Sequence, residues 1–191
     1  MSKFDVYLSG VGGQGIGLLS ETLARAVDYS GQRVIGADTH GLAQRGGMVS
    51  SHLRIGDTVH SVLIMKHSAD LVISLERHEA LRGLENYLKN GGTLVYYDAV
   101  WQPLDVRLRR SKEIENEDVL KEASKRGARV FRVFKEDLID SRMQNVVIIG
   151  ELAKESLIPG VSREHYVKAL RDLLSGRTLE RNLEVFQITA G

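Results

Sequence analysis

The sequence predicts an α/β fold: a Rossmann-like, three-layer α/β/α domain whose mixed sheet contains an antiparallel hairpin. Three observations carry this. Phe4, Val6 and Leu8 alternate along an opening strand that runs into the glycine-rich turn Gly10-Val-Gly12-Gly13-Gln14-Gly15. Ile16, Leu19, Leu23 and Val27 then recur at helical spacing. Farther on, Val49, Ser51, Leu53 and Ile55 alternate where an ordinary dinucleotide-binding domain would place a helix.

Taken in order, Lys3–Ser9 reads as a buried strand, Gln14–Tyr29 as a helix stopped by Gly31, and Arg33–Ala37 as a second strand. This opening suggests a βαβ unit. A loop from Asp38 to Gly47 leads into the strand Val49–Ile55. The turn signal Gly56-Asp57 and the run Val59–Ile64 then predict the second arm of a hairpin. Leu71–Leu75 is a short buried strand, and Glu76–Lys89 a helix ended by Asn90-Gly91. Thr93–Tyr97 is a strand, and Asp98–Ile114, with Pro103, has weak periodicity. Asn116–Arg126 reads as a helix and Val130–Val133 as a strand. The last third predicts helices over Asn145–Leu157, after a Ser162 cap, and after a Thr178 cap.

The length of 191 residues fits one domain, residues 1–191; a chain of this size buries roughly 70% of its unfolded surface. A hydrophobic fraction of 42% supports a core, and a net charge of +1 gives no global argument for nucleic acid or membrane. No apolar run approaches the ~20 residues that span a bilayer. No leader segment is visible, so the expected location is cytoplasmic. The sequence holds no cysteine. That excludes a disulfide framework, a thiolate nucleophile, cysteine-ligated zinc and a self-ligated iron–sulfur cluster.

Two loops carry candidate chemistry. In the first, Gly10 to Gly15 place bare backbone N–H groups at a helix N-terminus, which suits a phosphate. With Asp38 on the ribose hydroxyls, this becomes a nicotinamide-dinucleotide reading; the glycines equally allow a tight turn and close helix–sheet contact. The second loop is Thr39-His40-Gly41-Leu42-Ala43-Gln44-Arg45-Gly46-Gly47. Arg45 offers a planar fork for phosphate or carboxylate at a sheet edge where open α/β folds bind ligands. Burial of this loop against a partner protein explains it as well.

At these two loops the sequence resembles the gamma-type subunit or domain of 2-oxoacid:ferredoxin oxidoreductases, nearest to the beta subunit of the indolepyruvate-type enzyme. Gly10–Gly15 matches that family's first loop, and Thr39–Gly47 its Thr-His-Gly-x-x-Gln-Arg-Gly-Gly loop. Asp70–Leu84, Gly91-Gly92, Asn145 with Gly150, and Asn182 with Phe186 match further stretches. The resemblance implies a 2-oxoacid decarboxylated on thiamine diphosphate, electrons passed through [4Fe–4S] clusters to ferredoxin, and an acyl group delivered to coenzyme A. It implies that the thiamine and the clusters sit on partner subunits, with ferredoxin reached through the complex. This chain would then be noncatalytic alone and help accommodate coenzyme A. Gly10, Gly12, Gly13, Gln14, Gly15, Thr39, His40, Gln44, Arg45, Gly46 and Gly47 would be the binding residues, with no catalytic or metal-binding residue in the chain. The basic stretch Arg107, Arg109, Arg110 and Lys112 is either a ferredoxin-steering patch or a solvated face. An autonomous NAD(P)- or flavin-dependent oxidoreductase and a pure assembly module remain alternatives, and dimerisation of the isolated chain stays open.

Overall fold

The computed structural model describes residues 3–39, 47–101 and 113–191. Six strands form one mixed sheet in the order β2-β3-β1-β4-β5-β6. They are β1 (Phe4–Val11), β2 (Val34–Thr39), β3 (Met48–Ile55), β4 (Ala69–Ser74), β5 (Leu88–Tyr97) and β6 (Arg129–Val133). β3 is antiparallel to both β1 and β2, while β1, β4, β5 and β6 run parallel. The helices are α1 (Ile16–Tyr29), α2 (Arg77–Asn86), α3 (Asn116–Lys125), α4 (Gln144–Lys154), α5 (Arg163–Leu173) and α6 (Gly176–Ala190).

Alternation along the strands assigns the two faces. Val6 and Leu8 of β1, with Leu71 and Ile73 of β4, pack into one core with α1, α4, α5 and α6. Tyr7, Val72, Leu94 and Tyr96 point the other way, into a second core with α2 and α3. The three-layer α/β/α arrangement and the mixed sheet agree with the sequence reading.

The hairpin forms, but between other partners. β3 pairs with β2 through the register Val34↔Ile55 to Thr39↔Ser50, not with residues 59–64. Residues 59–64 adopt no strand. Side chains of β3 take their backbone polar groups instead of a ladder. The Ile64 N–H donates to His52 Nδ1 at 3.1 Å. Arg54 Nη1 donates to the Ser61 and Leu63 carbonyls at 2.8 and 3.2 Å. Val59 and Ile64 are buried as anchors, whereas Val62 and Leu63 face solvent, so the apolar run supplies anchor points and not a pleat.

Other boundaries shift for local reasons. The α2 helix ends at Asn86, and β5 begins at Leu88, so Asn90-Gly91 lie within a strand. The α6 helix begins at Gly176, ahead of Thr178, with Ser175 at its N-cap. Ser162 caps α5 as expected, and the His165 ring reaches back to accept the Ser162 N–H at 3.1 Å. The opening β1-α1-β2 is not a simple βαβ pair, because β3 is inserted between β1 and β2.

Candidate functional site

The first glycine turn lies where β1 gives way to α1, and it is tightly tied down. The Gly12 N–H donates to the Gly47 carbonyl at 2.8 Å, which joins this turn to the outgoing end of the second loop. Gln14 is fully buried. Its Oε1 accepts the Val11 N–H at 2.7 Å, and its Nε2 donates to the Leu75 carbonyl at 2.9 Å. The Gln14 side chain is thus a staple between the turn and the end of β4. Gly13 and Gly15 have φ of 105° and 84°, a region that favours glycine. A Cβ on Gly15 would meet Asn145 Nδ2 at 2.6 Å.

Of the second loop, Thr39 and Gly47 are placed, while His40, Gln44, Arg45 and Gly46 lie outside the described residues. The basic stretch at Arg107, Arg109, Arg110 and Lys112, and Pro103, also lie outside them. Thr39 Oγ1 sits 2.8 Å from the Ser50 carbonyl and 2.6 Å from Ser50 Oγ, so its hydroxyl is engaged within the sheet. Asp38 Oδ1 lies within hydrogen-bond reach of the Ser20 hydroxyl at 3.1 Å and of the Ser51 hydroxyl. Those contacts occupy one of the two carboxylate oxygens that a dinucleotide reading would offer to ribose.

A cleft of about 320 Å³ opens beside Gly15, at the N-terminus of α1. Its walls include Arg142, Asn145, Thr178 and Asn182. The α1 helix has no side-chain cap and no acidic residue in its first turn, and α4 shares both properties. The N-terminus of α1, with free N–H groups and its positive dipole end, therefore faces the cleft, whereas α4 continues a 3-10 turn, Ser141–Met143, whose leading N–H groups are taken by Asp140 and Ser141. Asn145 Nδ2 donates to the Gly15 carbonyl at 3.3 Å, which ties α4 to the turn. Its Oδ1 and the neighbouring Gln144 Nε2 have no hydrogen-bond partner, although both residues are 2% exposed. Unsatisfied buried polar atoms each cost about 1–3 kcal/mol. Arg142 pairs with Asp140 at 2.6 Å at the rim, and its hydrogen bonds hold the Asp140 carboxyl below its ordinary range.

A second polar cluster occupies the opposite face of the sheet. Glu76 caps α2 by accepting the Glu79 N–H and lies 3.2 Å from His78 Nδ1. Glu79 pairs through Oε1 with Arg82 at 3.0 Å, while its Oε2 is buried without a partner. Burial pushes the Glu79 carboxyl up to about 7, with Arg82 opposing and Glu76 reinforcing the shift.

Sequence reasoning singled out the glycines but not Gln144, Arg142 or Glu79 as site residues, and it met Asn145 only as a matching helix start. The available signal was two adjacent amides, Gln144-Asn145, heading the apolar run Val146–Ile149. Among the described residues, no group of three or more His, Asp or Glu side chains is arranged to hold a metal ion. No helix among them is long and apolar enough to cross a membrane.

Comparison with known proteins places this geometry. The chain is 33% identical to the indolepyruvate oxidoreductase subunit IorB of Archaeoglobus fulgidus, over 97% of this chain and 93% of that protein. Its fold matches the gamma subunit of keto/oxoacid ferredoxin oxidoreductase from Geobacter sulfurreducens, with a TM-score of 0.67, 22% identity, and coverage of 98% and 96% of the two chains. It also matches part of 2-oxoglutarate:ferredoxin oxidoreductase from Magnetococcus marinus, solved with 2-oxoglutarate, coenzyme A and succinyl-CoA. There the TM-score is 0.67 at 18% identity, covering 99% of this chain and 30% of that one. The family model for pyruvate ferredoxin/flavodoxin oxidoreductase matches residues 5–190. The chain therefore belongs to the pyruvate ferredoxin/flavodoxin oxidoreductase family, among the subunits of 2-oxoacid:ferredoxin oxidoreductases.

Proposed function

We propose that this chain is a noncatalytic cytoplasmic subunit of an indolepyruvate-type 2-oxoacid:ferredoxin oxidoreductase, and that the cleft beside Gly15 accommodates part of coenzyme A. Without cysteine it supplies no thiolate to a [4Fe–4S] cluster, so the clusters, like the thiamine diphosphate, belong to partner subunits. The aryl-oxoacid preference follows the name of the Archaeoglobus relative.

One observation carries the coenzyme A reading. The uncapped N-terminus of α1 opens at a cleft walled by Asn145, an amide whose buried Oδ1 lacks a partner. The positive end of α1 suits phosphate, and the Asn145 amide suits an amide or a purine edge. Coenzyme A offers all three groups, and the Magnetococcus neighbour was solved with it bound. Of the first loop, Gly15 lines the cleft, and Gln14 holds the turn in shape. The resemblance adds His40, Gln44, Arg45, Gly46 and Gly47 of the second loop as coenzyme A residues.

Anaerobic co-purification from native cells is expected to recover a thiamine-dependent, cysteine-rich partner; a chain that stays alone refutes the subunit reading. In the reconstituted complex, Asn145→Ala and Arg45→Ala are expected to raise the KM for coenzyme A about tenfold or more, the size of one or two lost polar contacts. If they weaken assembly and leave that KM unchanged, the loops and the cleft serve an interface. Micromolar binding of NAD, NADP, FAD or FMN with turnover by the isolated chain would replace the proposal with an autonomous oxidoreductase.

A further inference from the structure

Among the described residues the sheet ends on β2, which has a strand on one side only. The Arg33 carbonyl accepts the Gly56 N–H at 2.9 Å, on the side of β3. With the antiparallel alternation, Ile35, Ala37 and Thr39 also turn their N–H and C=O toward β3. Val34, Gly36 and Asp38 therefore turn theirs outward. Among the described residues, those outward groups have no hydrogen-bond partner. Natural edges are usually blunted by proline, lysine or a bulge. Val34-Ile-Gly-Ala-Asp-Thr39 contains none of these residues, and its pairing with β3 runs without a register shift.

The side chains of the same residues face α1, where a groove of about 230 Å³ runs between strand and helix. Ala24, Val34 and Leu53 make part of it apolar, and Gly36 leaves its centre open. Asp38 and Glu21 put two carboxylates in its wall, and among the described residues no lysine or arginine lines it. Glu21 is partly offset by Arg25 at 2.9 Å. Asp38 meets only hydroxyl groups, those of Ser20 and Ser51, and forms no ion pair among the described residues. Strand addition uses this combination: an open edge supplies main-chain hydrogen bonds, and a groove beside it reads alternate side chains.

We propose that the β2 edge and its groove receive an extended segment of a partner subunit that carries a basic side chain toward Asp38 and a small apolar one toward Val34 and Ala24. This rests on the reading of the chain as a subunit. A second copy fits less well. Antiparallel pairing of two β2 edges with matched faces sets Asp38 opposite Gln32, Val34, Gly36 or Asp38 of the other copy, none of them a cation.

The test uses the complex reconstituted anaerobically with its thiamine- and cluster-bearing subunit. Val34→Pro removes one outward N–H and leaves the ladder to β3 intact. Glu21→Arg reverses charge on an exposed helical position without touching the strand. Each is expected to weaken partner binding about tenfold or more, and the Glu21→Arg effect to shrink in high salt. A photo-crosslinker at position 21 is expected to capture a partner segment containing lysine or arginine. Unchanged affinity of both variants, or a crosslink to a second copy, overturns this proposal alone. Failure of the unaltered chain to bind the partner overturns the subunit reading with it.

Discussion

Gln14 and Asn145 are both buried amides beside the α1 N-terminus, yet they differ in how their polar atoms are spent. Gln14 has its oxygen on the Val11 N–H and its nitrogen on the Leu75 carbonyl. Asn145 has only its nitrogen engaged, weakly, with the Gly15 carbonyl, and its neighbour Gln144 leaves a nitrogen without a partner. A satisfied buried amide has nothing left to offer a ligand; an unsatisfied one retains a donor or an acceptor at a cost the fold carries. The comparison separates the amide that builds the glycine turn from the two that keep unpartnered polar atoms. The motif letter that looks most chemical, Gln14, belongs to the architecture.

The largest expected effect tests the architectural half. Gln14→Ala strips the partners from a buried N–H and a buried C=O and leaves a void, so it is expected to destabilise the chain by about 4 kcal/mol. Urea unfolding followed by far-ultraviolet circular dichroism measures this. A loss below about 1 kcal/mol, the value of one net hydrogen bond, would break the distinction between the two amides.

The next effect extends the comparison to Glu79, whose Oε2 is also buried without a partner. Its carboxyl titrates at about 7 in the folded chain, against 4.5 for an ordinary glutamate. Between those values the folded state holds a proton that the unfolded state has released, so stability falls as pH rises from about 4.5 to 7. The span corresponds to about 3 kcal/mol at full ionisation. Glu79→Gln is expected to flatten this fall, leaving the variant closer to its pH 5 stability at pH 8 than the unaltered chain. Parallel slopes for the two proteins in urea unfolding at pH 5 and pH 8 would show that Glu79 is ionised in the fold at little cost.

Much of this was legible in the sequence, and the limits have physical causes. The strands β1, β4 and β6, the helices α1 and α3, and the antiparallel β3 followed from apolar period and turn residues. The partner of β3 did not, because Val59–Ile64 is an apolar run after a Gly-Asp turn, while Arg54 and His52 take its backbone groups. The glycine turn was legible as a turn, since Gly13 and Gly15 need positive φ. The cleft was not. It is assembled from Gly15, Arg142 and Asn182, which no local pattern connects, and only packing of α4 against α1 and of α6 against α4 brings them to one wall.

The glycines give the finest test of the comparison, because strain and contact can be pulled apart. Gly15→Ala adds a methyl 2.6 Å from Asn145 Nδ2 at a φ of 84°, so it suffers both terms and should lose about 2–3 kcal/mol. Gly13→Ala sits at a φ of 105° with nothing within 4 Å of the new methyl, so it has strain alone, about 1–2 kcal/mol. The difference between the two midpoints in urea measures how firmly Asn145 is held. If the two variants lose the same stability, Asn145 yields freely and its free oxygen is not preorganised. If Gly15→Ala loses more, and Asn145→Ala in the same background removes the excess, the amide is held in place by the turn. The glycine motif would then act on the cleft through Asn145, one helix away from the residues that spell it.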